Sequence, residues 1–422
     1  MKENILDIID ISYEGAGVGK LDGKVYFVPK TLIGEKVDVC PVKQNQSFCV
    51  AKLERVIEPS EKRIIPRCPY FDKCGGCVFQ HCSAQTEKEL KIHILRNEMK
   101  KVGWDGEIDY VESENRFGYR NKIKFEVRDG KLGFFKSKSH DFFEVKNCPI
   151  AMQNINNSIP KIEEFLKANS LKNLKSVYVR SVDEKLSICF LFDKKSQKCH
   201  KNIKKIEILS DFDVFFAYGD ILESNSTQIF CIKGNTFQVK KFSDFEAEYN
   251  VSAFCQINDF VAEKLYDFVL EKTKNMRVIN AYSGQGVLTF LISQVAKFVY
   301  GIEYQISAHE SAEKLKKYSN EFKFENVCGK VEDKISQILL RDNIDMIVLD
   351  PAREGCQKSV INSIIDSKIE NVLYISCNFS TLTRDLKDFC KNYDILSVKI
   401  FNMFPCTVNL ETAVVLKRKA NY

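Results

Sequence analysis

Val278-Ile-Asn-Ala-Tyr-Ser-Gly-Gln-Gly286 is the stretch whose reading decides the fold. Val278–Ala281 reads as a short strand, Gly284 and Gly286 make a tight turn, and the apolar run Val287–Val295 continues as a helix. A glycine turn between strand and helix lets the backbone approach a nucleotide-like ligand closely. The same rhythm recurs downstream. Phe298–Ile302, Asp345–Asp350 and Val372–Ser376 are β-rich, and the helical stretches Ser307–Phe322 and Ser359–Ser367 separate them. Strands alternating with helices predict a doubly wound α/β domain from about Val251, with ligands at the carboxyl ends of its parallel strands.

The strand tips carry the chemistry. Glu303 ends the second strand, where a carboxylate is placed to accept from ribose hydroxyls. With one Gly-x-Gly and no third glycine, S-adenosylmethionine fits better than NAD. Asp350-Pro-Ala-Arg-Glu-Gly355 and Ser376-Cys377-Asn378 end two further strands, so both tips face one crevice. Cys377 is a candidate nucleophile, and a helix opening at Thr381–Asp385 would favour its thiolate. A merely buried strand-end cysteine is the competing reading. Glu411 is a lone acid just before the apolar strand Ala413–Leu416.

The rest of the chain bounds the class. At 422 residues, two or three domains are expected. The net charge of +6 permits a nucleic-acid partner without demanding one. The start MKENILDIID has no apolar run of signal length, and no 18 consecutive residues are apolar, so a cytoplasmic protein outside the membrane is expected. Residues 1–58, with strands near Gly23–Pro29, Gly34–Cys40 and Ser47–Val56, read as a small β-barrel of the kind that often binds nucleic acid. Residues 59–250 read as a mixed α+β region with a helix from Ala84 to about Lys101 and strands at Lys122–Val127 and Leu132–Phe135. The lysine-rich stretch Asp193–Lys205 reads as a surface helix or loop.

Sixteen cysteines are unusual in a chain without disulfide context. Cys68, Cys74 and Cys77 form C-x5-C-x2-C, and Cys148 follows in Lys146-Asn-Cys-Pro149. Four thiolates suit zinc or a cubane iron–sulfur cluster, and spacing alone leaves the two even.

Together these motifs resemble the bacterial RNA (uracil-5-)-methyltransferase family over essentially the whole chain. CPYFDKCGGCVFQH with Cys148 is similar to the cysteine motif of its cluster-bearing branch, which implies a [4Fe-4S] cluster on Cys68, Cys74, Cys77 and Cys148. Residues 1–58 resemble a TRAM domain, an RNA-binding barrel, and Tyr119-Arg-Asn-Lys122 resembles the branch's central motif. Phe254-Cys-Gln256, the glycine turn, DPAREG and ISCNFSTLTRDL follow in family order. The resemblance implies a Rossmann-like class I methyltransferase domain over 251–422, a central domain over 59–250 and a TRAM/OB-like barrel over 1–58. It makes Cys377 the nucleophile and Glu411 the base. Gln256, Tyr282, Gly284, Gly286, Glu303 and Asp350 become the S-adenosylmethionine and target pocket. It implies a monomer acting on RNA, 23S ribosomal RNA first and transfer RNA as the alternative. The chain departs from the pattern at Ala352, where a second proline is usual, and at Val287 and Lys330, where polar residues are common. Cys406 and Asn409 stand where the family has histidines before its base.

Overall fold

The computed structural model describes residues 4–169, 171–196, 203–220, 226–242, 244–318 and 323–420. A closed barrel, two large sheets and one two-stranded hairpin organise them. Ile5–Ile11, Gly17–Leu21, Lys24–Val28, Lys36–Gln44 and Phe48–Glu58 close into a five-stranded barrel around Leu6, Ile8, Val28, Val37, Val39 and Ala51. Closure is tight enough to require glycine. A Cβ on Gly19 would lie 2.1 Å from Leu6 Cδ1 and 2.7 Å from the Asp7 carbonyl oxygen. The barrel rests on the segment that follows the cysteine motif, because a Cβ on Gly15 would come within 2.7 Å of Val78 and 3.3 Å of Val408.

The middle of the chain forms a seven-stranded sheet backed by helix Gln153–Ala168, with Phe125, Ile159, Ile162, Phe165, Phe190 and Phe216 in its core. Strands Lys122–Arg128 and Lys131–Phe135 lie within one residue of their expected bounds. Residues 197–202 of the lysine-rich stretch lie outside the described residues.

The last third is built on strands β1 (Arg277–Ala281), β2 (Phe298–Glu303), β3 (Phe324–Cys328), β4 (Met346–Leu349), β5 (Asn371–Ser376), β6 (Tyr393–Phe401) and β7 (Glu411–Arg418). They run in the order β3-β2-β1-β4-β5-β7-β6, parallel except that β7 is antiparallel to both neighbours. This is the doubly wound arrangement that the strand–helix rhythm predicts, and it fits the Rossmann-like class I domain that the family resemblance implies. Residues alternate between two apolar layers, Ile279 and Ala281 facing one and Val278 the other, as a sheet covered on both faces requires. Helices Val287–Val295 and Lys358–Asp366 match expectation to within a residue. Helix Ile306–Lys314 ends earlier than its polar-periodic pattern implies and tightens into a 3-10 turn, Leu315–Tyr318.

Three segments before Val251 pack with this sheet. Ile108–Val111 extends its edge in parallel with β6, and helix Ala84–Met99 buries Leu90, Ile94, Leu95 and Met99 in the same core as Ile279 and Tyr374. The hairpin Phe237–Lys241/Glu246–Asn250 also places Ala247 and Tyr249 in the methyltransferase core. Nothing in local composition signals these crossings, because they are satisfied by distant partners. Among the described residues no helix is long and apolar enough to cross a membrane.

Arg180, 2% exposed, ties the central sheet to this hairpin. Its guanidinium donates to Gln238 Oε1 at 2.7 Å and to the carbonyls of Asn250 at 3.0 Å and Tyr249 at 3.3 Å. Arg180→Met removes the charged donor that these buried acceptors share, leaving Gln238 Oε1 with Ser187 Oγ and the Asn250 carbonyl with Ala253 N. It should destabilise the protein by about 2–4 kcal/mol in thermal or urea unfolding, whereas an unchanged midpoint would mean that the joint is not load-sharing.

Candidate active site

Strand register aligns the functional side chains. Ala281 of β1 pairs with Ile302 of β2 and with Leu349 of β4. The next residues outward, Tyr282, Glu303 and Asp350, therefore share one row at the carboxyl ends of the strands. Ser376 of β5 pairs with Thr412 of β7, so Cys377 and Glu411 stand opposite one another one step further along. The expected strand Ala413–Leu416 begins two residues earlier, at Glu411 itself, which also pairs with Phe401 of β6. The acid thus sits on a strand rather than in a loop.

Beside this row lies a cleft of about 540 Å³, lined by Phe254, Gln256, Tyr282, Gly284 and Asp350 among others. The two glycines of the turn differ. Gly284 has φ +55° and no atom within 4 Å of an added Cβ, leaving room for a ligand against the backbone. Gly286 has φ +79°, and its Cβ would lie 2.4 Å from Ala312 Cβ, so helix packing demands this glycine. Tyr282 holds φ +64°, a strained value for a non-glycine residue. Glu303, 8% exposed, accepts from the amides of Gly284 at 2.9 Å and Gln305 at 2.6 Å. Burial nevertheless raises its carboxyl pKa.

Electrostatics at the row is governed by burial. Burial pushes Asp350 up to about 7. Glu411 is held well above the ordinary carboxylate range by burial and by the charge of Asp350, with Arg353 opposing. The Cys377 thiol is pushed up to about 12 by burial, then by Glu411 and Asp350, again against Arg353. The helix after Cys377 runs Phe379–Phe389, with Asn378 as N-cap accepting from Ser380 N at 3.1 Å. It starts two residues before the expected Thr381. Its positive end does not win: burial and two neighbouring acids outweigh the thiolate stabilisation anticipated from the helix end.

Sequence reading missed two supporting residues. Arg353 opposes the acids, and its carbonyl accepts from Asn378 Nδ2 at 2.9 Å and Thr381 Oγ1 at 3.0 Å, joining the DPAREG loop to the Cys377 turn. Asp385, 2% exposed, accepts from Cys356 N at 2.8 Å and Tyr374 Oη at 2.6 Å. The available signal was an acid on the helix face shared by Leu382 and Leu386.

The four cysteines Cys68, Cys74, Cys77 and Cys148 are neighbours rather than a closed site. Each thiol is raised by burial, and the charges of Cys74 and Cys148 reach Cys77 while those of Cys68 and Cys74 reach Cys148. Gly76 N donates to Cys74 Sγ at 3.4 Å. The donor chemistry is that of a four-thiolate centre. Among the described residues, however, no three His, Cys, Asp or Glu side chains converge closely enough to hold a metal ion.

Comparison with known proteins follows this geometry. Residues 85–419 match the family model described as tRNA (Uracil-5-)-methyltransferase. A Clostridium acetobutylicum protein named as an uncharacterized RNA methyltransferase is 29% identical over 445 residues, covering 97% of this chain and 96% of that protein. A similarly named Caldanaerobacter subterraneus protein is 30% identical over 448 residues, covering 98% and 97%. The crystal structure of Pyrococcus abyssi tRNA (uracil-54, C5)-methyltransferase in complex with S-adenosyl-L-homocysteine superposes with a TM-score of 0.75 at 21% identity, covering 98% of this chain and 100% of that one. At that identity the likeness establishes the fold.

A carboxyl whose pKa is raised on folding binds more protons folded than unfolded, so stability is lost as pH climbs above the unfolded value. Glu411→Gln removes that loss. Its melting temperature should exceed the parent's at pH 8 by about 2 °C or more, with the gap narrowing toward pH 5. Calorimetry at the two pH values checks this, and a gap independent of pH would contradict it.

Proposed function

The chain belongs to the tRNA (uracil-5-)-methyltransferase family, and from that premise we propose that it methylates carbon 5 of a uridine in 23S ribosomal RNA, with transfer RNA as the alternative target. The observation that carries the reading is the pairing of Ser376 with Thr412, across which Cys377 and Glu411 face one another. A nucleophile and a base on adjacent strand ends are what attack at carbon 6 and deprotonation at carbon 5 of one ring require.

Gln256, Tyr282, Gly284, Gly286, Glu303 and Asp350 form the S-adenosylmethionine and target pocket in this reading. The open backbone at Gly284 and the buried carboxylate of Glu303 suit an adenosine group. Bound S-adenosylmethionine supplies an electrophilic methyl group. The Cys377 thiol passes its proton to water as its sulfur bonds to carbon 6, so the electron pair of the 5,6 double bond moves toward carbon 5 and the 4-carbonyl. Carbon 5 then takes the methyl group, the electron pair of the broken sulfur–methyl bond staying behind on a neutral thioether, and carries both the methyl and a hydrogen. Glu411 in its carboxylate form removes that hydrogen as a proton, the double bond re-forms, and Cys377 leaves. A thiol raised to about 12 is a weak nucleophile at neutral pH, so deprotonation has to be coupled to addition. The target base must leave the stack to reach strand tips beside the cleft.

Residues 1–58 are proposed as the TRAM-type RNA-binding barrel, residues 59–250 as the central domain and 251–422 as the catalytic domain, in a cytoplasmic monomer. Cys68, Cys74, Cys77 and Cys148 are proposed to carry a [4Fe-4S] cluster, on the strength of the motif and the mutual proximity of the four thiols. They take no part in the chemical steps.

Two experiments follow. Cys377→Ala should bind RNA yet form no adduct, whereas Glu411→Gln should accumulate a methylated protein–RNA complex that survives a denaturing gel. Normal turnover by Glu411→Gln would move the base elsewhere, and an adduct from Cys377→Ala would remove the nucleophile. Protein purified anaerobically should contain about four irons per chain. Stoichiometric zinc without iron would overturn the cluster.

A further inference from the structure

Glu411 opens β7, and the nine residues before it, Asn402–Leu410, form the loop from β6. This loop is gripped by charges from far away in sequence. Lys91 is fully buried and Glu87 is 1% exposed, both on helix Ala84–Met99. Lys91 Nζ donates to Glu87 Oε1 at 2.8 Å, Asn402 Oδ1 at 2.7 Å and the Phe404 carbonyl at 3.1 Å, which uses all three of its protons. Glu87 Oε1 also accepts from Cys406 N at 2.8 Å, and its Oε2 accepts from Arg116 Nε at 3.2 Å. Tyr119 Oη donates to the Pro405 carbonyl at 2.9 Å. The Cys406 carbonyl accepts from Val78 N at 2.8 Å and Phe79 N at 2.9 Å, directly after Cys77. Cys406 itself is held at φ +66°, a conformation a non-glycine residue keeps only when its surroundings impose it.

A buried ion pair is a poor source of net stability, since apolar residues of the same volume often do as well. What a fully satisfied buried network does specify is one geometry. Here that geometry belongs to the loop whose next element begins with Glu411. We infer that the Glu87–Lys91 pair, with Tyr119, is a positioning device for Glu411, setting the carboxyl for removal of the carbon 5 proton. Glu87 and Lys91 touch the loop and act through it. The inference rests on the reading of Glu411 as the base. It also ties the cysteine segment to the catalytic row through Val78, Phe79 and Arg116, which donates to the Phe79 carbonyl at 2.7 Å.

The test uses the full-length double variant Glu87→Gln/Lys91→Met, a neutral pair of similar volume, on ribosomal and transfer RNA from a strain lacking the gene. Its melting temperature should fall, because Asn402 Oδ1 and the Phe404 carbonyl lose their Lys91 donor, whereas its KM for S-adenosylmethionine should stay close to that of the parent. Its kcat should fall about tenfold or more, as displaced catalytic groups do, and the methylated covalent complex should accumulate as in Glu411→Gln. Tyr119→Phe, which loses only the bond to the Pro405 carbonyl, should show the same signature more weakly and carries the test if the double variant does not fold. Parental kcat in a folded variant overturns the inference. So does a fall in kcat that only tracks the folded fraction, without trapped complex. If Glu411→Gln itself turns over normally, the base assignment fails and the inference fails with it; if Glu411→Gln stalls and the positioning variants do not, only the inference fails.

Discussion

Antiparallel pairing of β7 with β5, in the register that sets Ser376 opposite Thr412, is the constraint on which the site depends. Parallel strands alone would bring only their carboxyl ends to the row. Reversing β7 delivers the first residue of a strand, Glu411, to the place where the others deliver their last. Because side chains alternate along a strand, a slip of one residue would turn Glu411 to the opposite face of the sheet. The apolar alternation of Ala413, Val414, Val415 and Leu416 between the two core layers resists that slip.

Bringing an acid to this position has an electrostatic consequence. Burial raises Asp350, burial and the charge of Asp350 raise Glu411, and both acids act on Cys377, with Arg353 opposing at Glu411 and Cys377. The resting site is therefore rich in protons, with its thiol capped. A nucleophile that is ionised in advance would be prone to oxidation. In the proposed mechanism a thiol that loses its proton only when the target ring is in place avoids that exposure while leaving the addition step available.

The catalytic half was legible because its signals are local. A strand, a two-glycine turn and an apolar helix at 278–295 define a βα unit without outside help, and the motif order around Asp350 and Cys377 put both at strand tips. What stayed hidden depends on contacts between residues hundreds of positions apart. Lys91 and Asn402 are 311 residues apart, and no pattern in helix Ala84–Met99 distinguishes the buried Glu87 and Lys91 from solvent-facing charges. The close contact of Gly286 with Ala312 stayed hidden for a related reason: a glycine's neighbour across a helix interface leaves no trace in its own motif. The edge strand Ile108–Val111 is likewise too short to announce its partner β6.

The central claim is that this chain writes 5-methyluridine into RNA with Cys377. Mass-spectrometric mapping of 5-methyluridine in ribosomal and transfer RNA, from a deletion strain complemented by the parent gene or by Cys377→Ala, tests it most directly. The account predicts that the mark disappears from a defined uridine of 23S ribosomal RNA on deletion, returns with the parent gene and stays absent with Cys377→Ala. An unchanged 5-methyluridine map in the deletion strain, or full restoration by Cys377→Ala, would contradict it.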